Sequence, residues 1–132
     1  MKKIHIELIM PEGKKIDEMV DSINVPGVDG DFEILPDHTP FITKIRPGTL
    51  CLNTNNKTTK YAIHDGFITV DKDKVIIISE IAESEKEIDL NRAKLSKERA
   101  EKRIFNSKDE DIDYRRAEVS LHKAVARINT IG

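Results

Sequence analysis

Val25-Pro26-Gly27-Val28-Asp29-Gly30-Asp31-Phe32-Glu33-Ile34-Leu35-Pro36-Asp37-His38-Thr39-Pro40 threads Phe32, Ile34 and Leu35 through three prolines and two glycines. Glycine opens left-handed backbone geometry, and proline fixes φ while removing a donor. A slack linker has no use for large apolar side chains among such breaks. The run therefore reads as a tight, packed loop between two strands.

On both sides of it the chain has period two, the spacing of a half-buried strand. Ile4, Ile6, Leu8 and Met10 share one face of a first strand, and Pro11-Glu12-Gly13-Lys14 is a turn. Ile23 and Val25 alternate before the run, and Phe41 to Ile45 follows it until Pro47-Gly48. Asn55-Asn56-Lys57 joins two strands as a hairpin turn. Asp71 to Lys74 turns between Gly66–Val70 and Val75–Ile78; the latter is apolar on both faces and reads as a central strand. Many short strands with closely spaced turns imply a sandwich or a barrel.

After Glu83 the period changes to 3.6. Asp89 is placed to cap a helix, with Ile88 and Ala93 at the staple positions. Leu90, Ala93, Ala100 and Ile104 fall within one arc, and the helix should fail near Phe105-Asn106-Ser107. Asp109-Glu110-Asp111 suits a loop entering a second helix. Tyr114, Ala117, Leu121, Ala124, Ile128 and Ile131 then form the clearest helical stripe in the chain. Two helices with a short connection pack antiparallel.

Charge divides along the same line. Residues 1–84 carry 10 Lys+Arg against 14 Asp+Glu, and residues 85–132 carry 12 against 10. The cations of the second part are ordered. Arg92, Arg99 and Arg103 stand at i, i+7 and i+11, and Arg116, Lys123 and Arg127 repeat that spacing. At about 100° per residue each set is one row, about 110–120° from its own apolar stripe in the same rotational sense. Antiparallel packing brings both rows to one side, as a six-cation face. Such a face suits a polyphosphate or an acidic segment, because the guanidinium fork bonds such oxygens in pairs. A row of charges is more often just a solvated face, and the coincidence of the two rows argues against that here.

Other function classes find little support. The chain lacks Trp and is 5% aromatic, which argues against base-stacking or sugar platforms. Its net charge of −2 and lack of a nucleic-acid motif argue against nucleic acid. Cys51 is the only cysteine, so no internal disulfide forms, and its strand context suggests a buried thiol. The four histidines show no metal-ligand spacing. His64-Asp65, placed at a hairpin edge, could pair as base and orienter, but no nucleophile accompanies it. No P-loop is present. No apolar run reaches bilayer length, and charges interrupt the N-terminal apolar stretch, so a soluble chain in a reducing compartment is expected.

Pro26-Gly27, Gly30-Asp31-Phe32 and Leu35-Pro36-Asp37-His38 resemble the Pro-Gly, Gly-x-Phe and Leu-Pro-x-His elements of the ε subunit of rotary F-type ATP synthases. Arg46-Pro47-Gly48 and Gly66-Phe67 with Val70 look like further turns and strands of that family. Ile88-Asp89-Leu90-Asn91-Arg92-Ala93 is similar to the Ile/Leu-Asp-x-x-Arg-Ala motif of its ATP-binding members, and Ala117 to Ile128 to its last helix. Lys123 stands where those members usually show Arg, and a lysine lacks the fork. Glu33 replaces a common Gly, and Asp65 replaces the first of two glycines.

The resemblance implies an α+β chain: an N-terminal β-sandwich of about ten short strands over residues 1–84, followed by a C-terminal antiparallel two-helix hairpin over 85–132. The sandwich would be the stalk-docking domain, on the γ subunit and the c-ring. The hairpin would be the regulatory domain, reaching toward the α/β catalytic hexamer when extended and hindering ATP hydrolysis there. The resemblance implies a non-catalytic subunit, peripheral on the cytoplasmic face of the bacterial plasma membrane and bound to it only through the complex. It implies no obligatory cofactor and ATP as a regulatory ligand. The adenine side of that site would fall on Glu83, Ile88, Asp89 and Ala93, and the phosphate side on Arg92, Arg99, Lys123 and Arg127. The alternative expectation is a stand-alone nucleotide-sensing β-sandwich module. The alanines of both helical stripes bury little area, which suits a hairpin whose own packing is weak.

Overall fold

The computed structural model describes residues 2–106 and 111–131. Eight strands precede two helices: β1 Ile4–Met10, β2 Gly13–Val20, β3 Ser22–Gly27, β4 Gly30–Ile34, β5 His38–Ile45, β6 Gly48–Thr54, β7 Lys57–Lys72, β8 Lys74–Ser84, α1 Leu90–Asn106 and α2 Asp111–Ile131. All strand pairs are antiparallel except β1 with β8.

The strands form one sheet folded into two layers, with path β2-β1-β8-β7-β5-β3-β4 and β6 bridging β3 and β7. The long strand β7 makes the fold close. Residues 57–63 pair with β6, and residues 66–72 pair with β5. The strand changes neighbour at Asp65, whose φ is 42°. Gly66 is required just beyond, because a Cβ there would lie 1.9 Å from the Ile78 carbonyl oxygen of β8. Alternating residues fill the core, among them Ile4, Ile6, Leu8, Ile23, Leu50, Ile63, Ile68 and Ile77, all fully buried. Phe32 and Phe41 close one end edge-to-face, with centroids 5.1 Å apart.

Eight strands, not about ten, make the sandwich. The segments on either side of His64-Asp65-Gly66 are one strand rather than two. The Val25–Pro40 run is not a loop: it is mostly β3, β4 and the start of β5. Only Val28-Asp29 and Leu35-Pro36-Asp37 turn within it. Pro26 fits because its carbonyl accepts a hydrogen bond from Arg46 N, at 3.0 Å, which needs no N–H of its own. Glycine at 30, with φ of 127°, and Asp37, with φ of 64°, supply the turns. Gly13 opens β2 as well as ending the first turn.

The cap on α1 forms as read. The Asp89 side chain accepts the amide of Arg92 at 3.0 Å, and the Asp89 carbonyl accepts that of Ala93. The helix ends at Asn106; the Asp109-Glu110 part of the expected acidic loop lies outside the described residues. Ala93 and Ala100 are the buried residues of α1, and Ala117 and Ala124 of α2 have no exposed surface. The start of α1 and the end of α2 line one cleft, so the two helices run antiparallel.

The hairpin is docked on the sandwich through α2, which packs on β6 and β7. Ile63 belongs to the sandwich core, so its neighbours Ala62 and His64 point to the outer face, where both are buried. The Thr130 hydroxyl lies 2.8 Å from that of Thr49 on β6 and donates to the Ala126 carbonyl. Thr130 is fully buried, so this pair ties the end of α2 to the strands.

Candidate functional site

The end of β8 and the start of α1 approach each other across the turn at Ser84–Glu87. The Glu87 carboxylate holds this turn by accepting the Ser84 amide at 3.0 Å and the Lys15 ammonium at 2.7 Å. The Lys15 bond first, and then that of the Ser84 amide, push its carboxyl down to about 2. With the turn fixed, α1 leaves at a set angle and α2 returns beside it. A cleft of about 380 Å³ opens between them, lined by Glu83, Glu87, Asp89, Arg92, Ala93, Ser96, Arg99 and Arg127. That size is within the range of small-molecule sites.

Both cation rows contribute to this cleft: Arg92 and Arg99 come from α1, and Arg127 from α2. Arg127 Nε donates to Glu83 Oε1 at 2.6 Å, with both side chains about a quarter exposed. The terminal nitrogens of Arg127 make no hydrogen bond among the described residues. Arg92 and Arg99 form no ion pair among them, although Arg99 Nε reaches the Leu95 carbonyl at 3.4 Å. The carboxylates opposite are engaged: Glu83 by Arg127, Glu87 by Lys15 and Ser84, and Asp89 by the helix amide. The cleft thus presents guanidinium groups with free donors, as an anionic ligand requires.

Of the eight residues expected around a nucleotide, Glu83, Asp89, Arg92, Ala93, Arg99 and Arg127 line the cleft. Ile88 is buried beside it, 8% exposed. Lys123 is not among the residues that line it; its charge, like that of Arg127, bears on His64. Arg103 and Arg116 are exposed further along the hairpin and do not reach it. The six cations therefore divide, with three in the cleft. Glu83 meets Arg127 rather than standing apart from the phosphate side. Sequence reasoning missed Ser96 and Glu87. Ser96 was findable, since it lies three residues after Ala93 and three before Arg99 on the same helical face. Glu87 acts through a turn that no periodicity marks.

Other arrangements offer less. A larger cavity of about 660 Å³ on another flank of α2 has Arg46 as its one lysine or arginine, and Arg46 is ion-paired with Asp31. His5, Glu7 and Asp17 converge on β1 and β2, but Lys74 and Lys14 already neutralise the two carboxylates. His64 is not at a hairpin edge and is not paired with Asp65; its imidazole is buried and has no partner among the described residues, so the base-and-orienter arrangement does not exist. No described helix is long and apolar enough to cross a membrane.

Two family models match the chain: the ATP synthase delta/epsilon chain β-sandwich domain over residues 3–85, and the long α-helix domain of the same chain over 86–132. The chain is 39% identical to the ATP synthase epsilon chain of Desulforamulus reducens over 127 residues, covering 96% of each. It is 38% identical to that of Halalkalibacterium halodurans over 132 residues, covering 100% of this chain and 99% of the relative. Its fold matches a chain in the Euglena gracilis mitochondrial ATP synthase OSCP/F1/c-ring structure. That match has a TM-score of 0.88 at 22% identity and covers 100% of this chain and 83% of the other.

Proposed function

The chain belongs to the ATP synthase delta/epsilon chain family, and from that premise we propose that it is the non-catalytic epsilon chain of a rotary ATP synthase whose hairpin is a nucleotide-responsive brake. Its sandwich sits at the foot of the central stalk, against the γ subunit and the c-ring. In that place it couples ion-driven rotation to ATP synthesis, peripheral to the cytoplasmic face of the membrane. Its hairpin, when lifted, reaches the α/β hexamer and restrains hydrolysis.

One observation supports the brake: with the hairpin folded down, Arg92 and Arg99 of α1, Arg127 of α2 and Glu83 of β8 line one cleft, where Glu83 holds Arg127. Lifting α2 from the strands takes Arg127 from Glu83. A polyanion that bridges these guanidinium groups, such as the triphosphate of ATP, binds the docked state alone. By mass action it stabilises docking by about 2.7 kcal/mol at a hundredfold excess over its Kd. The interface it must hold includes the small side chains of Ala62 and Ala126 and the Thr49–Thr130 hydroxyl pair. A closely balanced equilibrium is moved by that amount. Ile88 and Ala93 supply apolar surface for the base, and Lys123 adds positive charge one helical turn from Arg127.

A reversible lock tests this. Thr49→Cys with Thr130→Cys, in a Cys51→Ser background, places two thiols where the hydroxyls lie 2.8 Å apart. Assembled with γ and the α/β hexamer, the oxidised chain should leave hydrolysis unrestrained, and reduction should restore the brake. Equal hydrolysis rates before and after reduction would refute the proposal.

A further inference from the structure

His64 is a buried ionisable group that the nucleotide cleft does not use. It lies on the outer face of β7, fully buried beneath the hairpin, and neither ring nitrogen has a hydrogen-bond partner among the described residues. Its backbone carbonyl is bonded, accepting the Ser79 hydroxyl at 2.8 Å, so the strand is fixed and only the ring is unsatisfied. A charged ring in such a place is far more costly than a neutral one.

The surroundings are one-sided. From α2, Lys123 and Arg127 both oppose a positive charge on the ring. From β8, Ile81 stands opposite His64, and Glu83 stands opposite Ala62 with its carboxylate held by Arg127. From β6, Gly48 and Thr49 are the facing residues and bring no charge. From β5, pairing with β7 begins only at Gly66. Among the described residues no carboxylate makes a hydrogen bond to the ring.

We propose that His64 makes docking of the hairpin pH-dependent, because the docked arrangement accepts only the neutral imidazole and acidification therefore releases α2 from β7. The inference rests on the reading that the hairpin leaves the sandwich. Lifting α2 uncovers the ring and removes both cations, so the ring regains its ordinary affinity for a proton. Burial, with Arg127 and Lys123 adding to it, lowers the docked pKa from 6.5 to about 4. The docked state thus binds fewer protons than the lifted state. Its advantage is complete above about 6.5, declines as pH falls through the window, and levels off below about 4.

Hydrogen exchange of the full-length chain without nucleotide is the test, read at the amides of residues 114–131 and corrected for intrinsic pH dependence. From pH 7.5 to 5.5 the lifted population should rise about tenfold. The amides of β1 and β8 should stay protected, which separates release of the hairpin from unfolding. His64→Gln, which does not titrate, should show the same population at both pH values. A titration of the ring by NMR in the unmutated chain gives a second readout, with an apparent pKa expected well below 6.5. Opening that is independent of pH, a matching response in His64→Gln, or a ring pKa at or above 6.5 overturns the inference and leaves the brake standing. A hairpin that opens at neither pH overturns both.

Discussion

Gly66→Ala is expected to destabilise the sandwich by about 3 kcal/mol or more, enough to lower Tm by about 10 °C. The added methyl carbon would lie 1.9 Å from the Ile78 carbonyl oxygen, 2.9 Å from its carbon and 3.0 Å from Ser79 Cα. All three are backbone atoms of β8, so no side chain can swing away to make room. Relief requires β7 and β8 to separate where Gly66 pairs with Ser79 and, on its other side, with Ile45. That point joins the two layers, so the damage should reach the whole fold rather than one edge. Urea denaturation compared with Glu85→Ala, an exposed change expected to stay within about 0.5 kcal/mol, checks it. An unchanged midpoint in Gly66→Ala would mean that the strands do not approach this closely.

Arg127→Ala is expected to weaken ATP binding by about tenfold or more while changing the stability of the sandwich little. A charge-assisted bond to phosphate contributes about 1.5–3 kcal/mol. The ion pair with Glu83 is partly exposed and contributes at most about 1 kcal/mol to docking. Its loss also leaves the Glu83 carboxylate facing the cleft without its partner, where it repels a triphosphate. Arg92→Ala should weaken binding as well, whereas Arg116→Ala, outside the cleft, should not. Calorimetric titration of the three variants separates a shared anion site from a diffuse basic face. Equal losses in all three would favour the diffuse face.

Much of this architecture was open to reading because local rules and tertiary packing agree. Period-two alternation in Ile4, Ile6 and Leu8 became buried core, and the Asp89 cap formed where the helical period began. The two long strands were harder. β7 runs through Asp65-Gly66, a pair that signals a turn, because the strand changes partners there without reversing direction. Local sequence records the bend and cannot say whether the chain turns back. The Val25–Pro40 run misled in the same way: Pro26 tolerates strand pairing when its carbonyl alone is used, and that depends on Arg46, twenty residues away in sequence.

In the site, helical spacing was enough to bring Arg92 and Arg99 together, and antiparallel packing brought Arg127 to them. Lys123, one turn before Arg127 on the same face of α2, is not among the lining residues. The burial of His64 was hidden from local sequence. Alternation from Ile63 puts it on the outer face, which reads as solvent until α2 covers it.

Hydrogen exchange across residues 88–127 of the intact chain, with and without ATP, tests the central claim most directly. With ATP at a hundredfold excess over its Kd, opening of the hairpin should fall about a hundredfold, and Arg92→Ala or Arg127→Ala at the same ATP concentration should lose most of that protection. Identical exchange with and without millimolar ATP would contradict the account.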